Sequence, residues 1–247
     1  MKVAAVVVSH LHPGELAESL PALRPQVDEL VVIANVPGSL PPGVEAVHND
    51  RPLGYAANIN QGVALTAAEL VIAANPDAVP EAGAVATLRD FMLEHPRCGI
   101  AGPRMVFPDG SPQPSRRRFP TVLGTIVRRT PLRLVIPQRR HFHLDEATPT
   151  VPVRADWMLG GFLMLRRSML AELDGFDAGF RLYGEDIDLA YRAFRAGWET
   201  WYVPGAVVRH EHKAETDGRW LTRRTLWHLA GIARFVRKHP ERLRALR

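Results

Sequence analysis

Over its first hundred residues the chain alternates short apolar runs with segments whose apolar residues recur at helical spacing, and this restricts the possible folds more than any other feature. Val3 to Val8, Leu30 to Ala34, Val44 to Val47, Leu70 to Ala74 and Gly99 to Ala101 read as strands. Between them Gly14 to Leu23, Tyr55 to Leu65 and Ala82 to Glu94 read as helices. The economical assembly is a βαβ-type, mostly parallel sheet flanked by helices. Ligands in such sheets bind beyond the carboxyl ends of the strands. That rule directs attention to Ser9-His10, Asn35, Asn49-Asp50-Arg51 and Asn75-Pro76-Asp77, each just after an apolar run.

From Pro103 to Pro152 the pattern weakens into Pro- and Arg-rich sequence, and Val122 to Val127 predicts one short helix there. Regularity returns with an apolar run from Val153 to Leu165 and a helix beginning near Arg167. A glycine- and aromatic-rich loop from Gly175 to Gly184 precedes a helix from Glu185 to Ala196, and strands follow at Thr200 to Val203 and Val207 to His212. We divide the chain into a first half, residues 1–102, a second half of the same domain, residues 103–215, and a basic helical tail, residues 216–247.

A length of 247 residues with 46% hydrophobic content is enough for an ordinary buried core. Cys98 is the only cysteine, which rules out an intramolecular disulfide and a thiolate-built metal site. Together with an N-terminal apolar run too short for a signal peptide, this predicts a cytoplasmic protein. The Trp157 to Leu165 run is far below the ~20 residues of a membrane span. The net charge is +5, but the segments 115–140 and 219–247 carry +8 each, which leaves the remainder acidic at −11. Two basic surfaces on an acidic body suit the phosphates of a lipid-linked substrate, an anionic membrane surface or nucleic acid; a solvated charged face is the plain alternative.

Several residues carry chemistry. Asp77, after the Leu70 strand, is positioned to hold Mg2+ or Mn2+ against a diphosphate, although Asn-Pro-Asp is also a good turn. Glu185 and Asp186 open a helix, where acids are favoured by the macrodipole; adjacent acids there can raise one another's pKa and supply a general base. Asp188 is explained by an i,i+4 pair with Arg192. His210 and His212 alternate on one side of a strand, and an imidazole there suits either a structural role or an additional metal ligand. Trp157, between Asp156 and Gly160-Gly161, offers a flat face for a sugar ring or simply a core tryptophan.

The order Val7-Val8-Ser9, Asn49 to Gly62 (NDRPLGYAANINQG), Asn75-Pro76-Asp77, Asp156 to Arg166 (DWMLGGFLMLR), Gly175-Phe176-Asp177, Tyr183 to Leu189 (YGEDIDL), Gly197-Trp198 and His210 resembles glycosyltransferase family 2, in its bacterial rhamnosyltransferase-like branch. The resemblance implies a GT-A fold, a nucleoside-diphosphate sugar donor, here dTDP-rhamnose, and inversion at the anomeric carbon. It implies a cell-envelope glycan or polyprenyl-diphosphate-linked acceptor, and contact with the inner face of the cytoplasmic membrane. By the same resemblance Asp186 is the base beside Glu185, and Asp77 and His210 serve the metal. Ser9, Asn35, Arg51, Gly54, Asn58 and Asn75 line the donor nucleotide, while Asp156, Trp157, Gly160 and Gly161 face the sugar or acceptor. Where relatives carry Asp-Asn after the second strand, this chain has Ala34-Asn35, which leaves uridine and thymidine both open.

Two other classes fit less well, and a third is an alternative. A dinucleotide-dependent oxidoreductase lacks its Gly-x-Gly-x-x-Gly turn after the first strand. A nucleic-acid-binding protein lacks any recognisable motif beyond the arginines. A catalytically silent nucleotide-binding module of the same fold is the alternative that Ala34 suggests. The tail allows two arrangements. Trp220, Trp227, Ala230, Ala233 and Val236 recur at roughly helical spacing, so the helix either lies in a membrane interface or packs this stripe on the body.

Overall fold

The computed structural model describes residues 1–119, 149–211 and 223–244. Its centre is one ten-stranded mixed sheet with helices on both faces. Strands β1 (Val3–Ser9), β2 (Glu29–Ala34), β3 (Val47–His48) and β4 (Leu70–Ala74) run parallel, linked by α1 (Pro13–Leu23) and α2 (Tyr55–Ala64). After β5 (Ala78–Pro80), α3 (Ala84–Glu94) leads into the long β6 (Cys98–Val106). The Pro112–Gln113 strand, β7, folds back on β6, and β8 (Arg116–Arg117) pairs with β10 (Trp157–Met158) in a small second sheet. Strand β9 (Val153–Ala155) precedes β10, β11 (Phe162–Arg166) follows it, and α4 (Arg167–Glu172), α5 (Glu185–Arg195) and β12 (Glu199–His210) complete the body. Helices α6 (Arg223–Lys238) and α7 (Glu241–Arg244) come last. The main sheet order is β3-β2-β1-β4-β11-β6-β12-β5, with β11 antiparallel to both its neighbours.

Side-chain alternation explains why the apolar runs carry almost no polar residues. On β1, Val3, Ala5 and Val7 enter the core under α1 and α3, whereas Val6 and Val8 enter the core under α2, α4 and α5. Strand β4 divides in the same way, Leu70, Ile72 and Ala74 to one side and Val71 and Ala73 to the other. Both faces of these strands are covered, so a polar residue on either would be stranded from water.

Several local expectations are corrected. The Val44 to Val47 run contributes only β3, since Val44 sits in a turn that packs against the core. The Gly99 to Ala101 run lies near the start of a nine-residue strand, because β12 pairs with β6 as far as Val106 and β7 pairs with Met105 and Val106, past Pro103. The Val153 to Leu165 run is three strands, interrupted by the turn at Gly160-Gly161. The two runs after Thr200 form one strand, whose register with β6 shifts between Val203 and Val207. The Val122 to Val127 helix, His212 and Trp220 lie outside the described residues.

The tail helix packs on the body, as in the second of its two expected arrangements, with a stripe that overlaps the expected one at Trp227, which meets Arg181. Gly231, Phe235 and His239, an i+4 row, are buried against the body, while Ala230 and Ala233 are exposed. Phe235 packs against Tyr191 of α5 at 5.8 Å between ring centroids. A phenyl ring buries far more apolar area than two alanine methyl groups, so it sets the rotation of the helix. No helix among the described residues is long and apolar enough to cross a membrane.

Candidate active site

The carboxyl end of β4 carries one pole of the site. Five buried residues lead into Asn75-Pro76-Asp77, and the turn is closed by the Ala78 amide donating to Asn75 O at 3.2 Å. Strand β12 runs antiparallel to β5 with His210 opposite Ala78, which brings the imidazole onto this turn. His210 Nε2 lies 3.4 Å from Asp77 Oδ1 and 3.3 Å from Asn75 Nδ2. The ring is 2% exposed, and its Nδ1 meets Gln113 Oε1 at 3.0 Å. With the glutamine oxygen accepting, the proton belongs on Nδ1 and the Nε2 lone pair faces Asp77. This is the tautomer a metal ligand needs, with the outer hydrogen bond that usually accompanies one.

The donor set fits a hard divalent cation. Asp77 and His210 could supply an oxygen and a nitrogen, and among the described residues no group of three His, Cys, Asp or Glu gathers to close a complete protein cage. Two protein ligands leave coordination positions for diphosphate oxygens and water, as Mg2+ and Mn2+ commonly use them. Gly161 makes room for this pole: a Cβ there would stand 2.8 Å from Met105 Cε and 3.0 Å from His210 Nε2.

The other pole stands at the start of α5. The chain enters that helix through two left-handed residues, Tyr183 at φ 70° and Gly184 at φ 99°. Tyr183 is not a glycine, so its backbone is held in a conformation that the surroundings must enforce. Asp186 is half-buried; its Oδ1 accepts from the Ile187 amide at 2.8 Å and its Oδ2 from the Gly160 amide at 3.2 Å. Burial raises its pKa above the usual aspartate range, while the Ile187 and Gly160 amides and the Arg117 charge restrain the rise. Glu185 is pushed up further, by burial first and by the Asp186 charge second. Its Oε2 has no hydrogen-bond partner among the described residues. Asp188 is committed elsewhere, fully buried and paired with Arg192 at 2.7 Å, as the i,i+4 spacing anticipates.

Tyr55 joins the poles, a role the sequence reading did not give it. Its hydroxyl lies 3.4 Å from Gly160 O as the donor, and its pKa is raised by burial and then by the charges of Glu185, Asp186 and Asp77. One phenol thus senses both carboxylate groups. Gln113 was also missed. Its signal was available in the alternation of the 112–117 segment, but its partner is 97 residues away in sequence.

The remaining anticipated residues divide by what their polar atoms do. Asn35 Oδ1 accepts from Asn49 Nδ2 and the Leu53 amide, and its Nδ2 donates to Leu53 O at 3.0 Å. Asn49 donates to Asn58 Oδ1 at 2.7 Å, and Asn58 donates to Gly54 O at 3.0 Å. Ser9 is buried with its hydroxyl on Ser39 O. Ser9, Asn35 and Asn58 therefore shape the loops around the β1 and β2 ends, and Arg51 is exposed beside them. Gly54 packs on the loop before α5, where a Cβ would come 2.9 Å from Arg181 O. Asp156 accepts from the Phe119 amide at 2.8 Å, and the half-buried Trp157 donates its indole N–H to Arg118 O at 2.8 Å. Both side chains fasten the 116–119 segment next to the site.

Comparison with known proteins agrees with the fold. The family model "Glycosyl transferase family group 2" matches residues 75–244. An N-acetylglucosaminyl-diphospho-decaprenol L-rhamnosyltransferase of Mycobacterium tuberculosis is 34% identical over 89% of this chain and 78% of its own length. A rhamnosyltransferase of Escherichia coli is 37% identical over 33% of this chain and 30% of its own. Among solved structures, GalNAc-T7 with UDP, GalNAc and Mn2+ matches at TM-score 0.67 and 17% identity, over 96% of this chain and 48% of that one. A Pyrobaculum calidifontis mannosyltransferase in complex with GDP-Man and Mn2+ matches at TM-score 0.60 and 16% identity, over 96% of this chain and 64% of that one. The chain spans about half to two-thirds of these solved structures, and the likeness is one of GT-A fold.

Proposed function

This chain belongs to glycosyl transferase family group 2 and is a glycosyltransferase of GT-A fold, and from that premise we propose that it transfers L-rhamnose from dTDP-rhamnose to a hydroxyl of a polyprenyl-diphosphate-linked acceptor. The observation that carries the reading is the Gly160-Gly161 turn. Its Gly160 amide donates to Asp186, and its Gly161 carbonyl accepts from the Asn75 amide at 2.9 Å. A sugar seated over that turn has a carboxylate base at one end and the diphosphate pole at the other, the arrangement an in-line displacement needs. The choice of rhamnose is supported by the names of the two rhamnosyltransferase relatives, and that of a lipid-linked acceptor by the name of the Mycobacterium tuberculosis one.

In this reading Asp186 takes the acceptor hydroxyl proton as that oxygen bonds to the anomeric carbon. The bond to the diphosphate breaks on the opposite face, so configuration inverts. The amides on both Asp186 oxygens fix the carboxylate's plane, and its raised pKa makes it a stronger base than a solvated aspartate. Asp77 and His210 are the residues that would hold Mg2+ or Mn2+, which when bound stabilises the charge of the departing diphosphate. Gln113 keeps His210 in its ligand tautomer, and Tyr55 braces the turn between the poles. The cytoplasmic face of the membrane, where a lipid-linked acceptor is presented, is the proposed place of action.

The test is transfer from a panel of dTDP-, UDP- and GDP-sugars to a synthetic polyprenyl-diphospho-N-acetylglucosamine, with and without Mn2+. Product from dTDP-rhamnose in the presence of metal is expected. Transfer of a different sugar, with none from dTDP-rhamnose, would overturn the donor assignment.

A further inference from the structure

The loop 175–184 that delivers the two carboxylates is gripped from outside by the tail helix. Arg234 makes a forked pair with Asp177, its Nη2 2.8 Å from Oδ1 and its Nε 3.2 Å from Oδ2. Its guanidinium also lies over the Phe180 ring, 5.4 Å from the centroid. Lys238 Nζ reaches two carboxylates at once, Asp177 Oδ2 at 2.9 Å and Asp188 Oδ1 at 2.9 Å. These two aspartates stand on either side of Glu185-Asp186 in the chain. His239 Nε2 is 2.9 Å from Asp188 Oδ1, and Trp227 stacks on the Arg181 guanidinium at 5.1 Å. Between these contacts Gly231 rests on the left-handed Tyr183, where any Cβ would overlap the Tyr183 carbonyl oxygen.

The chemistry of these contacts is that of a fixed geometry. A bidentate arginine–carboxylate pair holds direction as well as distance. The Asp177 carboxyl is held well below the usual range because the Arg234 and Lys238 hydrogen bonds outweigh its partial burial. The strained Tyr183 backbone, two residues from Glu185 and three from Asp186, persists only where neighbours over-determine it, and α6 supplies that constraint. We propose that α6 is a clamp on the catalytic loop, and that Arg234 and Gly231 are positioning residues acting through Asp177 and Tyr183 to aim Asp186. The proposal rests on the reading of Asp186 as the base.

Asp188 and His239 are poor probes, since breaking a buried ion pair is strongly destabilising. Arg234 is one-third exposed and can be changed with the body intact. The experiment compares Arg234→Ala, Arg234→Lys and Gly231→Ala in the full chain, with Asp186→Asn as reference and in combination. Turnover per folded molecule, nucleoside-diphosphate affinity and thermal unfolding are measured together. Arg234→Ala and Gly231→Ala are expected to lower kcat about tenfold or more, as small displacements of a reacting group do. Nucleotide affinity should stay within about threefold, because the side-chain hydrogen bonds of Asn35, Asn49 and Asn58 among the described residues run to His10, Leu53, Gly54 and one another, and Arg234→Lys, which keeps the charge but not the fork, should recover only part of the turnover. In the Asp186→Asn background the Arg234→Ala loss should vanish, since the two act through one group. Unchanged kcat in both variants, a loss that follows the unfolded fraction, or a loss that persists in full beside Asp186→Asn would overturn the clamp. Normal turnover of Asp186→Asn alone would instead sink the base assignment, and the single-variant kcat values would still decide the clamp.

Discussion

The Gly160 amide and Asp186 Oδ2 stand 3.2 Å apart, which ties the turn between β10 and β11 to the first turn of α5. A Cβ at Gly160 would also touch the Asp186 carboxylate, at 3.4 Å from Oδ2. The carboxylate is thus fixed by backbone groups from two elements far apart in the chain, and its orientation is set before any substrate arrives.

Asp186→Asn keeps the size of this side chain and removes its basicity. Turnover is expected to fall by ~10² or more with donor affinity within a few-fold. Steady-state kinetics with the nucleotide sugar check this; near-normal kcat would move the role to Glu185.

The pH dependence follows from the burial of Asp186. A base works only when deprotonated, and burial raises the pKa above the usual value of about 3.9, so activity should rise with pH through a limb displaced toward neutrality. A pH profile of kcat measures the limb. An acidic limb at the ordinary aspartate position would contradict it.

At the metal pole, Gln113→Leu removes the acceptor that keeps the His210 proton on Nδ1. The affinity gain that Mn2+ confers on nucleoside-diphosphate binding should drop by ~10-fold or more, and His210→Ala and Asp77→Ala should drop it at least as far. Calorimetric titration with and without Mn2+ gives the comparison. A Gln113→Leu protein with full metal-dependent affinity would refute the tautomer role.

Glu185 carries a stability penalty whose sign can be worked out. Its folded pKa lies above the unfolded one, so the folded state holds a proton that the unfolded chain has released, and stability falls as pH rises from the unfolded value through the folded one. Glu185→Gln removes the penalty and gives the orphaned Oε2 position a neutral group. The variant should be more stable above neutral pH by ~1–3 kcal/mol and indistinguishable from wild type below about pH 4. Urea unfolding at the two pH values tests it, and equal stability at both would count against the buried charge.

What the sequence alone determined is what lies in short-range pattern. Strand β4 was legible at its observed ends, because an apolar run of five residues bounded by polar ones is too short for a buried helix and suits a strand covered on both faces. The Glu185-Asp186 pair at a helix start and the Asp188–Arg192 bridge followed from spacing within one helical turn. The tertiary structure decided everything that depends on partners distant in the chain. The pairing of β12 and β7 lengthened β6 beyond its apolar run. Asn75 and His210, separated by 135 residues, meet only because β12 pairs with β5. The tail stripe was right at Trp227 and wrong at Ala230 and Ala233, because helical periodicity records which residues are apolar and not which surface awaits them. Phe235 and Gly231 turned the helix toward Tyr191 and the Tyr183 carbonyl, and with that rotation Arg234 came to hold the loop that carries Asp186.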